Sequence, residues 1–263
     1  MYFNKLICND VEVLYIEAKT KNRPIIYTLH NGGLMFGSAL TEAMMCHRLR
    51  NELDLNVVAI EYSLTTKACY PTQLNEIEAV MNYFYDHQEE LNVDASKVVM
   101  IGNDAGANLA CTTALKGSKS KIMLQILMDP LLDFTTDPYT RELTRGSIQP
   151  KFIDHFRNKY SPDQDFHNPL VSSYAMSQED LEKMPATIIV MAQHDNLNDT
   201  NLEFANRLTK AYVDVHTRMA RNRERGFMAK YFSASRVIYT RYHEEQIFIW
   251  IKNHIDYYLN RPF

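Results

Sequence analysis

The sequence has no apolar run long enough to cross a bilayer, no cysteine pairing pattern and no broad basic patch, and each absence removes a class of function. Without about 20 consecutive apolar residues, no transmembrane helix is expected. Residues 1–10 also lack the apolar core of a secretory signal, so a cytoplasmic location is expected. The four cysteines, Cys8, Cys46, Cys69 and Cys111, form neither C-x-x-C pairs nor zinc-ligand spacing, which points to reduced, buried thiols and no metal. Lys and Arg, 28 in all, are scattered among 32 Asp and Glu for a net charge of −4, so nothing marks a nucleic-acid surface. No internal repeat, low-complexity tract or linker divides the chain.

What the chain does have is enough core for one α/β domain over residues 1–263, with 46% of its residues apolar. Short β-rich runs alternate with longer stretches of helical period, the pattern of parallel strands joined by crossover helices. Seven strands are predicted, at 11–18, 24–30, 55–62, 97–103, 122–128, 186–193 and 213–218. Most are unbroken apolar runs such as Val98-Val99-Met100-Ile101, which suits a sheet covered by helices on both faces. Helices are predicted at 41–53, 72–91, 105–115, 199–212 and 235–259. In the last, Val237, Tyr242, Phe248, Ile251, Ile255 and Leu259 recur at helical spacing and make one apolar stripe. Residues 132–184 break the alternation with turn signals at Ser161-Pro162 and Asn168-Pro169, and are expected to form an insertion beside the carboxyl edge of the sheet.

The residues suited to chemistry gather at three places. The strand at 97–103 runs through Gly102-Asn103-Asp104-Ala105-Gly106 into a helix, the pattern of a nucleophile elbow. Glycines flank its centre because the turn is too tight for side chains, and the central residue, Asp104, is pushed into the site. The strand at 24–30 ends in His30-Asn31-Gly32-Gly33, whose glycine N–H groups can face a developing oxyanion. Asp195, just past the strand at 186–193, stands where the acid of a catalytic triad is expected.

Together these residues resemble the hormone-sensitive-lipase-like esterases, a branch of the α/β-hydrolase fold, over nearly the whole chain. The family's His-Gly-Gly-Gly is similar to His30-Asn31-Gly32-Gly33, and its Gly-Asp-Ser-Ala-Gly-Gly-Asn-Leu-Ala to the run from Gly102 to Ala110. Its Asp-Pro-Leu-x-Asp is similar to Asp195-Asn196-Leu197-Asn198-Asp199, and its His-Gly-Phe falls on Arg225-Gly226-Phe227. The resemblance implies a mostly parallel central sheet with helices on both faces and an esterase- or lipase-like hydrolase. It also implies that Asp104, Asp195 and Arg225 stand at the triad positions, with His30, Asn31, Gly32, Gly33 and Ala105 on the ligand side of the cleft. The departures are as informative. Asp104 stands for the family's serine, Arg225 for its histidine and Asn31 for a glycine, while Tyr62-Ser63-Leu64-Thr65-Thr66-Lys67 only partly matches Tyr-Arg-Leu-Ala-Pro-Glu. The N-terminal helical lid of many members has no counterpart, so a reduced lid is expected.

A serine needs a neighbouring imidazole to take its proton and return it to the leaving group. Neither partner stands at these positions. Arginine cannot substitute, since removing its proton at pH 7 costs on the order of 7 kcal/mol. A guanidinium between Asp104 and Asp195 makes a closed ion network, each pairing worth about 4 kcal/mol of Coulomb energy before desolvation, and either substitution alone strands a charge. The leading expectation is a pseudoenzyme that binds a small acyl or carboxylate ligand, or a protein partner, through the old cleft and needs no cofactor. The alternative is a hydrolase using Asp104 as nucleophile, as epoxide-opening and halide-displacing relatives do, or an unconventional base such as His243. A third reading is self-association, as a homodimer, through the helix at 235–259. Competing readings of single residues stay open: Arg225 can belong to a solvated loop with Arg218, Arg221 and Arg223, and Asp195 can be a helix-capping acid. His243 reads as a surface residue of the terminal helix, His194 as turned away from the site, and His30 as a structural hydrogen-bonder beneath the glycine loop.

Overall fold

Unbroken apolar sequence builds the middle of an eight-stranded sheet. The structure, a computed structural model, describes residues 3–232 and 242–260. β1 (Asn4–Cys8) and β2 (Val11–Ile16) form a hairpin at one edge. The order then continues through β4 (Asn56–Ile60), β3 (Arg23–Leu29), β5 (Val93–Asn103), β6 (Lys121–Met128), β7 (Ala186–His194) and β8 (Val215–Glu224). β1–β2 and β2–β4 pair antiparallel, and every later pair is parallel. All of β4 is buried, as are residues 98–103 of β5 and 187–192 of β7. These strands do not alternate because helices cover both faces. On one face lie α2 (Thr72–Asp86), α3 (Ala105–Lys116) and α6 (Asn198–Lys210), packed around Tyr27, Phe84, Leu109 and Phe204. On the other lie α1 (Ala43–Leu53), α7 (Phe227–Phe232) and α8 (Tyr242–Asn260), around Leu49, Ile126, Met228 and Phe248. α8 buries Ile247, Phe248, Ile251 and Ile255, and each such burial is worth about 1.5–3 kcal/mol.

The sheet has one strand more than the sequence suggests. β1 buries only Cys8 and so lacks a hydrophobic alternation. Its usable signal is the turn, where Asn9 (φ 48°) and Asp10 (φ 70°) both take the left-handed region that a two-residue hairpin loop needs. β8 reaches Glu224, so Arg218, Arg221 and Arg223 belong to a strand and not to a solvated loop. The helix expected at 72–91 ends at Asp86. Of the helix expected at 235–259, the part from residue 242 is α8, while 235–241, including Val237, lies outside the described residues. Cys8, Cys46 and Cys111 are buried free thiols, but Cys69 is exposed. Between β6 and β7 the chain carries α4 (Pro150–Tyr160) and α5 (Gln178–Leu181). Among the described residues no helix is long and apolar enough to cross a membrane.

Candidate active site

Asp104 sits between β5 and α3 at φ 54° and ψ −120°, a region that residues other than glycine rarely enter. Two close approaches fix the turn. A side chain at Gly102 would meet the Gly106 oxygen at 2.4 Å, and one at Gly106 would meet the Leu29 and His30 oxygens at 2.4 and 2.5 Å. Only glycine fits at either position, so α3 starts hard against the end of β3 and the residue between is turned to the cleft. The Asp104 N–H donates to the Met128 carbonyl of β6 at 3.0 Å, and the Asp104 carbonyl accepts from Leu131 N–H at 3.1 Å. The elbow is thereby tied to the neighbouring strand.

The loop after β3 bends over this point. Gly32 (φ 118°) and Gly33 (φ 61°) aim their N–H groups at Asp104, whose Oδ2 accepts from both, at 3.2 and 2.9 Å. Beneath the loop His30 is fully buried and stacks on Tyr62, with ring centroids 4.1 Å apart. Tyr62 donates its hydroxyl to the His30 carbonyl at 2.7 Å, and His30 Nδ1 lies 2.8 Å from the Asn31 carbonyl. A carbonyl only accepts, so Nδ1 carries the ring proton. Burial lowers the His30 pKa, and the ring is neutral at pH 7.

Arg225 enters from the turn between β8 and α7. Its Nη2 donates to Asp104 Oδ1 at 2.5 Å and its Nη1 to Asp195 Oδ2 at 2.7 Å. Side-chain exposure is 11% for Arg225, 17% for Asp104 and 0% for Asp195, so solvent screens neither pairing strongly. Asp195 Oδ1 accepts from Leu197 N–H at 3.1 Å. A third acid, Asp129, follows β6 and is buried; its Oδ1 accepts from Ala192 N–H at 2.9 Å and its Oδ2 from Gly226 N–H at 2.8 Å. One guanidinium thus stands among three carboxyl groups. Beside the elbow, Asn103 Nδ2 donates to Oε2 of the buried Glu42 at 2.7 Å.

Burial alone would raise the Asp104 pKa, but the Arg225 guanidinium and the Gly33 and Gly32 N–H groups more than offset it and hold it below the usual carboxylate value. Burial likewise opposes the Arg225 charge, yet Asp195, Asp104 and Asp129 raise its pKa above the ordinary arginine value. Asp129 goes the other way. Burial pushes it up to about 7, and Arg225, already bonded to two other acids, counters only part of that. Burial also pushes Glu42 up to about 8, so it holds a proton at neutral pH.

Asp104, Asp129 and Arg225, but not Asp195 or Glu42, line a cleft of ≈ 340 Å³, within the range of small-molecule sites. Of the residues expected on its ligand side, Asn31 and Gly32 line it, whereas His30, Gly33 and Ala105 do not. His30 and Ala105 are fully buried, and the Phe156 ring closes over Gly33. The N–H groups of Gly32 and Gly33 are both occupied, because the elbow brings the Asp104 carboxylate within reach of each. His243 is exposed on the first turn of α8, and among the described residues no histidine lines the cleft. No group of three His, Cys, Asp or Glu side chains among them fits a metal ion. Sequence reasoning missed Asp129 and Glu42. Asp129 had a signal, being the first residue past the strand beside the elbow strand, where Met128 pairs with Asn103. Glu42 had none.

The sequence matches the α/β hydrolase fold family over residues 26–229. A protein of Acanthamoeba polyphaga mimivirus, named as an α/β hydrolase, is 24% identical over 196 residues, which is 72% of this chain and 57% of that protein. An arylesterase of Saccharolobus solfataricus is 28% identical over 218 residues, 80% of this chain and 71% of that protein. The chain therefore spans 57% to 71% of the length of these relatives. Among solved structures, a thermostable esterase from Pseudomonas putida ECU1011 superposes with a TM-score of 0.86 over 99% of this chain and 83% of its own, at 20% identity. Carboxyl esterase 2 from Tuber melanosporum superposes with a TM-score of 0.82 over 93% of this chain and 80% of its own, at 23% identity. At these identities the likeness speaks to the fold.

Proposed function

Because the chain belongs to the α/β-hydrolase fold family, we infer that it is an esterase-like member whose serine–histidine–acid machinery has given way to a closed ion cluster, and that it does not hydrolyse esters. The observation that carries this reading is the Arg225 guanidinium, bonded at once to Asp104 at 2.5 Å and Asp195 at 2.7 Å. A proton shuttle must give and take near neutral pH. Arg225, whose pKa is raised in spite of burial, keeps its proton. An aspartyl-ester route would leave Oδ2 on the loop amides and attack with Oδ1. That oxygen instead bonds the guanidinium, which withdraws charge from it and blocks its approach to a substrate carbon. Hydrolysing such an ester would also need a base, and both oxygens of Asp129 are tied to backbone N–H groups.

The cleft then serves binding and not turnover. Its acidic floor and occupied amides favour a neutral or cationic small molecule over the acyl or carboxylate ligand that free oxyanion donors would suit. Incubation with p-nitrophenyl acetate and butyrate tests the reading. Release of p-nitrophenol at the buffer rate is expected; turnover that disappears in Asp104→Ala overturns it.

A further inference from the structure

The Asp104 side chain sits in its surroundings as a ligand sits in a receptor. Gly32 and Gly33 N–H converge on Oδ2, and Arg225 Nη2 on Oδ1. Each of these donors is also anchored elsewhere than at Asp104. The glycine loop closes on itself, with Phe36 N–H donating to the Gly32 carbonyl at 3.0 Å, and Thr65 N–H donating to the Leu34 carbonyl at 2.8 Å. Arg225 is held by Asp195, itself fixed by Leu197, and the next residue, Gly226, donates to Asp129. The donors are preorganised, and their occupant is attached through a strained backbone at φ 54°, ψ −120°.

We propose that Gly32, Gly33 and Arg225 form a receptor for a small carboxylate, that Asp104 is its tethered occupant, and that free formate or acetate takes its place once Asp104 is shortened to glycine. This rests on reading Asp104 as a structural anion and not a nucleophile. Beyond Cα the aspartate side chain is CH2–COO⁻. Formate reproduces the carboxylate, while acetate adds a methyl group that must turn into the cleft. Two amides and a guanidinium give such an anion charge-assisted hydrogen bonds. In the intact protein the tethered group acts at an effective molarity beyond that of any solute, so the receptor is closed to outside carboxylates.

Glycine is the informative truncation because it relaxes at φ 54°, ψ −120° while removing the carboxylate. The test is thermal unfolding of the wild type, Asp104→Gly and Asp104→Gly/Arg225→Met in sodium formate, acetate or chloride at equal ionic strength. For a dissociation constant of about 10 mM, about 200 mM formate raises the Asp104→Gly midpoint by roughly 4–7 °C over chloride. Acetate gives a smaller rise, and the wild type and the double variant show none. Equal melting of Asp104→Gly in formate and chloride overturns the proposal, as does an equal formate response in the double variant. Should Asp104→Gly not fold in chloride, recovery of soluble protein on refolding in formate supports it, and failure in both salts overturns it. Ester turnover by the wild type would sink the silent-esterase reading and leave the formate result standing, so the two failures are distinguishable.

Discussion

Arg225→Met removes the single cation from among three buried acids, and its effect on stability measures the ion cluster directly. Asp104 and Asp195, bonded to Arg225 at 2.5 and 2.7 Å, lose their counter-ion while staying close together. Breaking a buried pair by removing one partner costs about 3–5 kcal/mol. For a chain of this size that lowers the melting midpoint by roughly 6–20 °C. The pH dependence is the sharper readout. In the wild type the Asp104 pKa is depressed, so its contribution is present above the unfolded value and lost as pH falls through the folded one. In Arg225→Met, burial acts on Asp104 without the cation and raises its pKa, so stability is lost as pH rises instead. The deficit of the variant therefore widens from pH 5 to pH 8. Urea unfolding followed by the single tryptophan, Trp250 on α8, reads both quantities. A loss under about 1 kcal/mol, equal at the two pH values, would be that of an exposed ion pair and would refute the counter-ion role.

Asp104→Ser/Arg225→His should release p-nitrophenol from p-nitrophenyl acetate well above the wild-type rate, because the elbow, the glycine loop and Asp195 are all kept; a folded double variant with no activity refutes that. Gly106→Ala should lose about 3 kcal/mol or more in urea unfolding, since its Cβ would lie 2.4 Å from the Leu29 oxygen, whereas Gly226→Ala, with open space but φ 78°, should lose about 1–2 kcal/mol. Asp129→Asn should flatten the stability–pH curve. Burial raises Asp129 to about 7, so its contribution is present below the unfolded carboxylate range and lost as pH rises through 7. Relative to the wild type the variant should gain roughly 4 kcal/mol between pH 4 and pH 8, and parallel curves would show that Asp129 does not titrate there.

The sheet was legible because its cause is local. A strand buried on both faces is an unbroken apolar run in the sequence, as in residues 98–101 and 188–192. The elbow was legible for a related reason, since Gly102 and Gly106 answer backbone contacts within a few residues of Asp104 or at the end of the adjacent strand. β1 escaped because an edge strand with one buried residue carries no periodicity. The ion cluster draws on positions 104, 129, 195 and 225, and motif order could bring together only those with a family counterpart. The occupation of the Gly32 and Gly33 N–H groups was illegible in kind. That outcome turns on side-chain length at one angle, where an aspartate reaches the Gly33 N–H at 2.9 Å. Counting residues gives no such distance.

Charge counting treats Asp104 and Arg225 as equivalent, the loss of either stranding a charge, but the geometry makes them unequal. With serine at 104, Arg225 keeps Asp195 at 2.7 Å and has Asp129 beside it, so the cation stays compensated. With histidine at 225, Asp104 joins Asp195 and Asp129 with only the Gly32 and Gly33 amides to support its charge. Asp104→Ser should therefore lose about 1.5–3 kcal/mol, the worth of hydrogen bonds to charged groups, and Arg225→His about 3–5 kcal/mol at pH 8. The second deficit should shrink below about pH 6, where an imidazole gains a proton and restores a cation. Equal losses in urea unfolding, or a deficit that ignores pH, would mean that Asp195 and Asp129 do not hold Arg225 without Asp104. If the inequality stands, the arginine is the member of the pair on which the cluster chiefly depends.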